Sequence, residues 1–265
     1  GVTELAGAAT IYGGGGGGVR ERPARDLMTR QLARWELAGV TGAVVVVDVI
    51  RAFTTAAYAF GSGAAEIYLV GTVDEALAFK AANPGALAMG EERGLRPDGF
   101  DFPNSPAMVR EADLDGRTLV QRTSAGTQGV VRAVDATRLW AASLAVASAT
   151  ARAVESAGLG GPAYVITGRF EDRPDGGVDD VLAAELIERA RTRRPLDTHA
   201  TSAALLATDE AARTLALGPE HTDPRDIELA ALVDAFDFAM EVERTDRGLR
   251  LVTSRSGRTS PTAPR

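Results

Sequence analysis

The sequence predicts an α/β fold: three layers, α/β/α, around a largely parallel or mixed sheet. Three observations carry this. Short runs dense in β-branched and aliphatic residues, above all the four valines of VVVVDVIRAFTT (44–55), have the continuous apolarity of strands buried on both faces. These runs alternate with stretches of helical periodicity along the 265 residues, the pattern of βαβ units. Polar and small residues collect where several strands should end, which is where open α/β sheets gather ligands.

Taken in order, residues 1–18 are dominated by Ala and Gly, with Gly13 to Gly18 unbroken. A phosphate loop would continue as Gly-Lys-Ser/Thr. Val19 and Arg20 follow instead, so 1–20 is expected to be a flexible terminus. Residues 24–38 place Leu27, Met28, Leu32, Trp35 and Leu37 at helical spacing and predict a helix ending near Gly39, with Trp35 in the core. A strand at 43–48 leads into a helix closed by Gly61 or Gly63. A strand at 66–71 follows, and Thr72 then caps a helix over 73–82 whose first turn holds Asp74 and Glu75. Asn83-Pro84-Gly85 turns into a strand at 86–90, which ends in Glu91-Glu92-Arg93-Gly94. The Pro-bearing span 95–106 reads as an ordered functional loop anchored by Phe100 and Phe102. Pro106 starts a short helix to about Ala112.

Strands at 117–123, 137–142 and 162–168 come next, interleaved with helices over about 127–133 and 144–157. Helices are expected at 179–192, 200–213 and 224–233, a short strand at 214–218, and strands within 235–253 around Asp246-Arg247-Gly248. The polar tail 254–265 is expected to be disordered. Residues 21–253 read as one α/β unit, with a lobe boundary placed near 158–162.

Composition narrows the function. A net charge of −7 argues against nucleic acid or an anionic membrane as the main partner. The absence of cysteine excludes disulfides, thiolate nucleophiles and Cys metal sites. His199 and His221 are too few for a multi-histidine zinc site. No apolar run approaches the roughly 20 residues of a membrane span, and no stretch has the basic start and apolar core of a secretory leader. The expectation is a soluble cytoplasmic protein with no nucleic-acid or membrane partner. The pattern leaves a homo-oligomer open.

Candidate chemistry sits at the strand ends. Asp48, Glu91, Asp179 and Asp180 are oxygen ligands of the kind Mg²⁺ prefers; helix capping is the plainer alternative, strongest for Asp179. Arg51 and Arg93 can fork onto an anionic oxygen pair or form salt bridges with neighbouring acids. The turn Thr123-Ser124-Ala125-Gly126-Thr127 can cradle an oxyanion with backbone N–H groups and hydroxyls, or simply cap a helix. Asn104 and Ser105 can contact a ligand or brace their loop. A haloacid-dehalogenase-type nucleophile would be followed two residues on by a second Asp, and position 50 is Ile. Metal-assisted attack by water, or attack by Asp48 in another setting, remains.

The segments DVIRAFTT, GEERGLRPDGFDFPNSP and GRTLVQRTSAGTQG resemble the three signature blocks of the 2-phosphosulfolactate phosphatase family. DDVLAAELI and RDIELAALVDAFD resemble its later acidic helix start and closing segment, so the resemblance covers roughly 43–245. It implies an α/β fold of two intertwined lobes. It also implies Mg²⁺-dependent hydrolysis of 2-phospho-3-sulfolactate to 3-sulfolactate and phosphate, a step of coenzyme M biosynthesis. Asp48, Arg51, Thr54, Glu91, Arg93, Asn104, Ser105, Thr123, Gly126, Thr127 and Asp180 fall on family motif positions. By this reading Asp48, Glu91 and Asp180 hold the metal. Asp48, Arg51, Glu91 and Arg93 serve catalysis. Thr54, Asn104, Ser105, Thr123, Ser124, Gly126 and Thr127 bind a small anionic phosphate ester. The sequence departs from the family at Ala125, where Asn is usual, at Leu95, where a second Gly often stands, and in the charged loop before Asp179. The alternatives are a phosphatase for another phosphorylated hydroxy acid, or a binding protein for an anionic metabolite.

Overall fold

The computed structural model of the protein describes residues 30–254. The expectations for the Gly-rich start and for the tail beyond Ser254 fall outside these residues. The strands are β1 (Arg30–Leu32), β2 (Ala43–Val47), β3 (Glu66–Leu69), β4 (Leu87–Gly90), β5 (Phe102–Pro103), β6 (Thr118–Arg122), β7 (Arg138–Ala142), β8 (Ala163–Ile166), β9 (Ala239–Thr245) and β10 (Gly248–Ser254). The helices are α1 (Ala52–Gly61), α2 (Val73–Ala82), α3 (Pro106–Arg110), α4 (Gly126–Arg132), α5 (Ala147–Ser156), α6 (Val178–Arg191), α7 (Thr198–Leu206), α8 (Asp209–Leu215) and α9 (Arg225–Ala230). None is long and apolar enough to cross a membrane.

Local chemistry explains the key elements. All five residues of β2 are buried, and the pleat sends them alternately to two cores. Val44 and Val46 pack with Phe53 and Ala56 of α1, while Val45 and Val47 pack with Trp140 and the α6 residues Ala183 and Ile187. Helices therefore cover both faces, as a three-layer α/β/α fold requires. Helix α2 starts in a capping box: Glu75 N donates to Thr72 Oγ1 at 3.1 Å, and Thr72 N donates to Glu75 Oε2 at 3.0 Å.

The sheet is mixed, in the order β1-β8-β2-β7-β9-β10-β3-β6-β4-β5. One parallel half contains β1, β8, β2 and β7, and the other contains β3, β6, β4 and β5. The hairpin β9–β10 joins them, antiparallel to β7 on one side and to β3 on the other. The halves are interleaved in sequence, since β3–β6 lie between β2 and β7. The change of half thus falls at the α1–β3 and α4–β7 connections and not at 158–162, where Gly158 and Gly160 (φ +67° and +83°) turn α5 into β8.

Three antiparallel pairings in series make the two halves run in opposite directions, so their strand ends do not share one edge of a flat sheet. Twist brings them together. Neighbouring strands rotate by about 20–25°, so the five steps from β2 to β6 turn the strand direction through roughly 100–125°. The meeting is direct: Gln121 Nε2 on β6 donates to the Ala52 carbonyl that opens α1, at 2.8 Å.

Three sequence expectations are corrected. The single helix expected over 200–213 is two, α7 and α8, divided where Thr208 caps α8 by accepting from Ala211 N at 3.2 Å. The described part of 24–38 is not helical. Arg30–Leu32 forms an edge strand beside β8, and only Arg34–Glu36 makes a turn of 3₁₀ helix. That short turn buries Ala33 and Leu37 and leaves Trp35 41% exposed, outside the core. The strand expected at 214–218 is the end of α8 followed by a turn at Gly218. Five residues of apolar run do not distinguish a strand from a helix end.

Candidate active site

The first component is a group of buried acids held by backbone amides. Asp48 follows β2. Its Oδ1 accepts from Ala52 N at 2.9 Å, which starts α1, and its Oδ2 accepts from the Thr167 hydroxyl at 3.1 Å, just past β8. The first turn of α6 reaches the same place. Asp180 accepts from Val49 N at 2.9 Å and from Gly168 N at 2.8 Å, and Asp179 accepts from Ile50 N at 3.0 Å. The peptide bond between Ile50 and Arg51 is cis. All three carboxylates are 5% exposed or less, and none has a cationic partner within ion-pair distance.

Burial therefore dominates their protonation. It pushes the Asp48 carboxyl up to about 6, with the charge of Glu91 adding to it. It pushes Asp179 up to about 7, aided by Asp48 and Glu210, and it raises Asp180 well above the ordinary range, aided by Asp179 and Asp48.

The second component is the turn between β6 and α4. Thr123 and Thr127 close it: Thr127 Oγ1 accepts from Thr123 N at 2.8 Å, and Thr127 N donates to Thr123 Oγ1 at 3.0 Å. Both threonines are spent inside the turn and do not line the cavity. Glu91, at the end of β4, brackets it from outside. Its Oε1 accepts from Ser124 N at 2.5 Å; its Oε2 accepts from Ser124 Oγ at 3.0 Å and Gly94 N at 2.6 Å. Arg34 Nη1 donates to the Ser124 carbonyl at 2.8 Å. Gly126 allows the turn to approach the acids. A Cβ there would lie 2.7 Å from Ala52 Cβ and 2.8 Å from Asp48 Oδ2.

The third component surrounds Arg51. Its Nη1 donates to Asp226 Oδ2 at 2.9 Å and to the His221 carbonyl at 2.8 Å. Asp226, fully buried, also accepts from Ser105 Oγ at 2.6 Å, Ala107 N at 3.0 Å and Thr222 Oγ1 at 3.1 Å. Ser105 is thus turned to Asp226 and caps α3, and Thr54 Oγ1 donates to the Val49 carbonyl at 2.7 Å. Neither hydroxyl lines the cavity.

These components enclose a cavity of about 270 Å³. Of the residues expected at the site, Asp48, Arg51, Glu91, Arg93, Asn104, Ser124 and Asp180 line it. Thr54, Ser105, Thr123, Gly126 and Thr127 shape it from behind. Asn104 is buried, and its Oδ1 has no hydrogen-bond partner. Sequence reasoning missed Thr167, Arg173, Arg213 and Asp226, and its capping alternative for Asp179 understated a residue that lines the cavity. Thr167-Gly168 repeats the motif of a small polar pair after an apolar strand and was open to detection. Asp226 carried no such mark.

A magnesium ion suits this donor set chemically: the acids are hard oxygen donors whose mutual repulsion a cation would relieve. Among the described residues, no three Asp, Glu or His side chains converge on one point closely enough to hold an ion unaided. Mg²⁺ commonly keeps water and draws on substrate phosphate for its remaining ligands, so two carboxylates suffice. Both oxygens of Glu91 accept from Ser124 or Gly94, which makes it a bracket of the site.

Fold and site together define an α/β protein that gathers acids and arginines around a small cavity where two half-sheets meet. A family model described as 2-phosphosulpholactate phosphatase matches residues 31–244. The chain belongs to that family. It is 41% identical over 111 residues to a Bacillus subtilis protein named as a probable 2-phosphosulfolactate phosphatase, covering 42% of this chain and 49% of the relative. Proteins of the same name from Deinococcus radiodurans and Thermus thermophilus are 39% identical over 146 residues and 37% over 145, each alignment covering 54% of this chain and 59% of the relative. The chain spans about half the length of the curated relatives it matches.

Proposed function

We propose that this protein is a phosphoric monoester hydrolase. It acts on a small anionic ester, with 2-phospho-3-sulfolactate the first candidate, and releases 3-sulfolactate and phosphate as in coenzyme M biosynthesis. The observation that carries this is the cavity itself: three buried aspartates without cationic partners share it with arginines and with the Ser124 turn. A site of this kind is short of one cation and supplied with donors for an anion.

Asp48 and Asp180 would hold Mg²⁺, with Asp179 beside them. The ion would supply charge neutralisation at the phosphate oxygens. The chain's own residues do the rest. Arg51, fixed by Asp226, presents its guanidinium edge to the cavity, and Ser124 and Ala125 form the wall against the phosphate. In hydrolysis the oxygen of water bonds to phosphorus, the ester P–O bond breaks, and the leaving alkoxide takes a proton to become the hydroxyl of the product. Asp48 is the group placed either to hold the metal or to attack phosphorus itself. Borohydride reduction of the working enzyme separates these, since it would label Asp48 only if an acyl phosphate forms there.

The test is phosphate release from a panel of esters, with and without Mg²⁺. Release from 2-phosphosulfolactate that requires the ion is the expected outcome. Preference for a different phosphorylated hydroxy acid would transfer the assignment to that substrate, in keeping with Ala125. Tight binding with no release from any ester would make the protein a metabolite-binding module.

A further inference from the structure

The acids of the cavity are matched by arginines that do not neutralise them. Arg93, Arg173 and Arg213 all line it, and none is within ion-pair distance of Asp48, Asp179, Asp180 or Glu91. Arg93 and Arg173 have no carboxylate partner among the described residues, and Arg213 is held at 2.8 Å by Glu210 on its own helix. A single exposed pair of that kind contributes little, and guanidinium has four further N–H donors to offer.

Arg173 and Arg213 come from two different segments that both line the cavity. Arg173 sits in the charged loop between β8 and α6. That loop is folded back on itself: Arg173 N donates to the Phe170 carbonyl at 2.9 Å, and Phe170 N donates to the Arg173 carbonyl at 3.2 Å. The Arg173 guanidinium lies 5.2 Å from the Phe170 ring centroid, a contact that orients a cation without consuming its N–H donors. Arg213 projects from α8. Beyond them Asn104 adds a buried amide whose Oδ1 has no partner, an independent sign that something polar completes this wall.

From this we infer that Arg173 and Arg213 determine specificity by binding a second anionic group of the substrate, a carboxylate or sulfonate, while the aspartates and the Ser124 turn handle the phosphate. The inference rests on the anionic-ester reading above and deepens it. It assigns substrate choice to the charged loop between β8 and α6, together with α8. Guanidinium suits the task because its planar fork matches the paired oxygens of such groups.

Both side chains are exposed, so truncating them leaves the core intact. For Arg173→Ala, Arg213→Ala and the double variant, kcat/KM would be compared on 2-phosphosulfolactate and on 4-nitrophenyl phosphate, whose tail carries no second anion. The loss on the former should exceed the loss on the latter at least tenfold, mainly through KM, and Arg173→Lys should recover part of it. Equal losses on both esters, or none, overturn the inference. Calorimetric titration with 3-sulfolactate provides a readout independent of turnover, and affinity should fall at least tenfold in the double variant. A wild-type protein that hydrolyses no ester yet binds sulfolactate through these arginines would sink the phosphatase reading and keep this one. Hydrolysis with sulfolactate affinity untouched by the double variant would do the reverse.

Discussion

Arg51 and Asp226, 175 residues apart, form a buried ion pair at 2.9 Å that ties the entry of α1 to α9. Burial pulls the Arg51 guanidinium down from its ordinary value, and Asp226 is the largest influence opposing it. Because Asp226 also accepts from Ser105 and from Ala107 N of α3, one carboxylate secures a cavity residue and a helix of the opposite half-sheet.

Asp226→Asn should therefore destabilise the fold. Removing one partner of a buried ion pair costs about 3–5 kcal/mol, because the other charge is stranded. In a chain of this size that lowers the melting temperature by roughly 6–20 °C. Thermal unfolding followed by circular dichroism checks it, and a shift of only a degree or two would show that Arg51 finds another partner.

Glu91→Gln distinguishes the bracket role from metal binding. The amide nitrogen of Gln cannot accept, so at least one of the bonds from Ser124 and Gly94 is lost and the turn loosens. Phosphate release should drop about tenfold or more, since an interaction with a charged group typically contributes about 1.5–3 kcal/mol. Magnesium affinity, measured by titration calorimetry, should stay near that of the wild type. A variant that loses the ion altogether would falsify the bracket role and return Glu91 to the metal.

The buried aspartates set a pH dependence of stability with a definite sign. The unfolded chain titrates its aspartates near about 3.9, whereas in the fold Asp48 lies at about 6 and Asp179 at about 7. The folded state thus binds these protons more tightly. Their stabilising contribution is complete below about pH 4 and is lost as pH rises through 6 and 7. Metal-free protein should melt several degrees lower at pH 8 than at pH 5. Added Mg²⁺ should recover more at pH 8, and Asp179→Asn should flatten the trend. Melting curves in chelator across this range decide the matter; a rise in melting temperature with pH that Asp179→Asn leaves intact is the contrary result.

Much of the site was legible because its residues follow apolar strands. Val44 to Val47 declare a doubly buried strand, and Asp48 then stands at its end for want of any other place. The same logic located Glu91 and Ser124, while Asp180 was marked by the acidic start of a helix. It was less able to say which atoms face inward. Thr54, Thr123 and Thr127 are short hydroxyl side chains next to backbone groups that compete for them, and in each case a local backbone partner took the hydroxyl, while Ser105 turned to the distant carboxylate of Asp226. Arg30–Leu32 was misread because an edge strand of three residues has too little length to show a period, while Leu32 and Trp35 happened to match a helix. The opposed half-sheets were not visible either. Their direction is set by how β9 and β10 pair, and that depends on contacts far apart in the chain.

The hairpin that joins the half-sheets also fixes when the site can exist. Arg138 and Glu241 meet across 103 residues, and Arg250 and Glu66 across 184. A ribosome releasing this chain in order would deliver Asp48, Glu91, Ser124 and Asp180 well before β9 and β10. Until those last strands arrive, the two half-sheets share no hydrogen-bonded seam. Closing such long loops is slow because their entropy must be overcome before the contacts form. Completion of the cavity is therefore a late event in the life of each molecule, and a chain cut short before Ala239 would carry the residues of the site without the frame that brings them face to face.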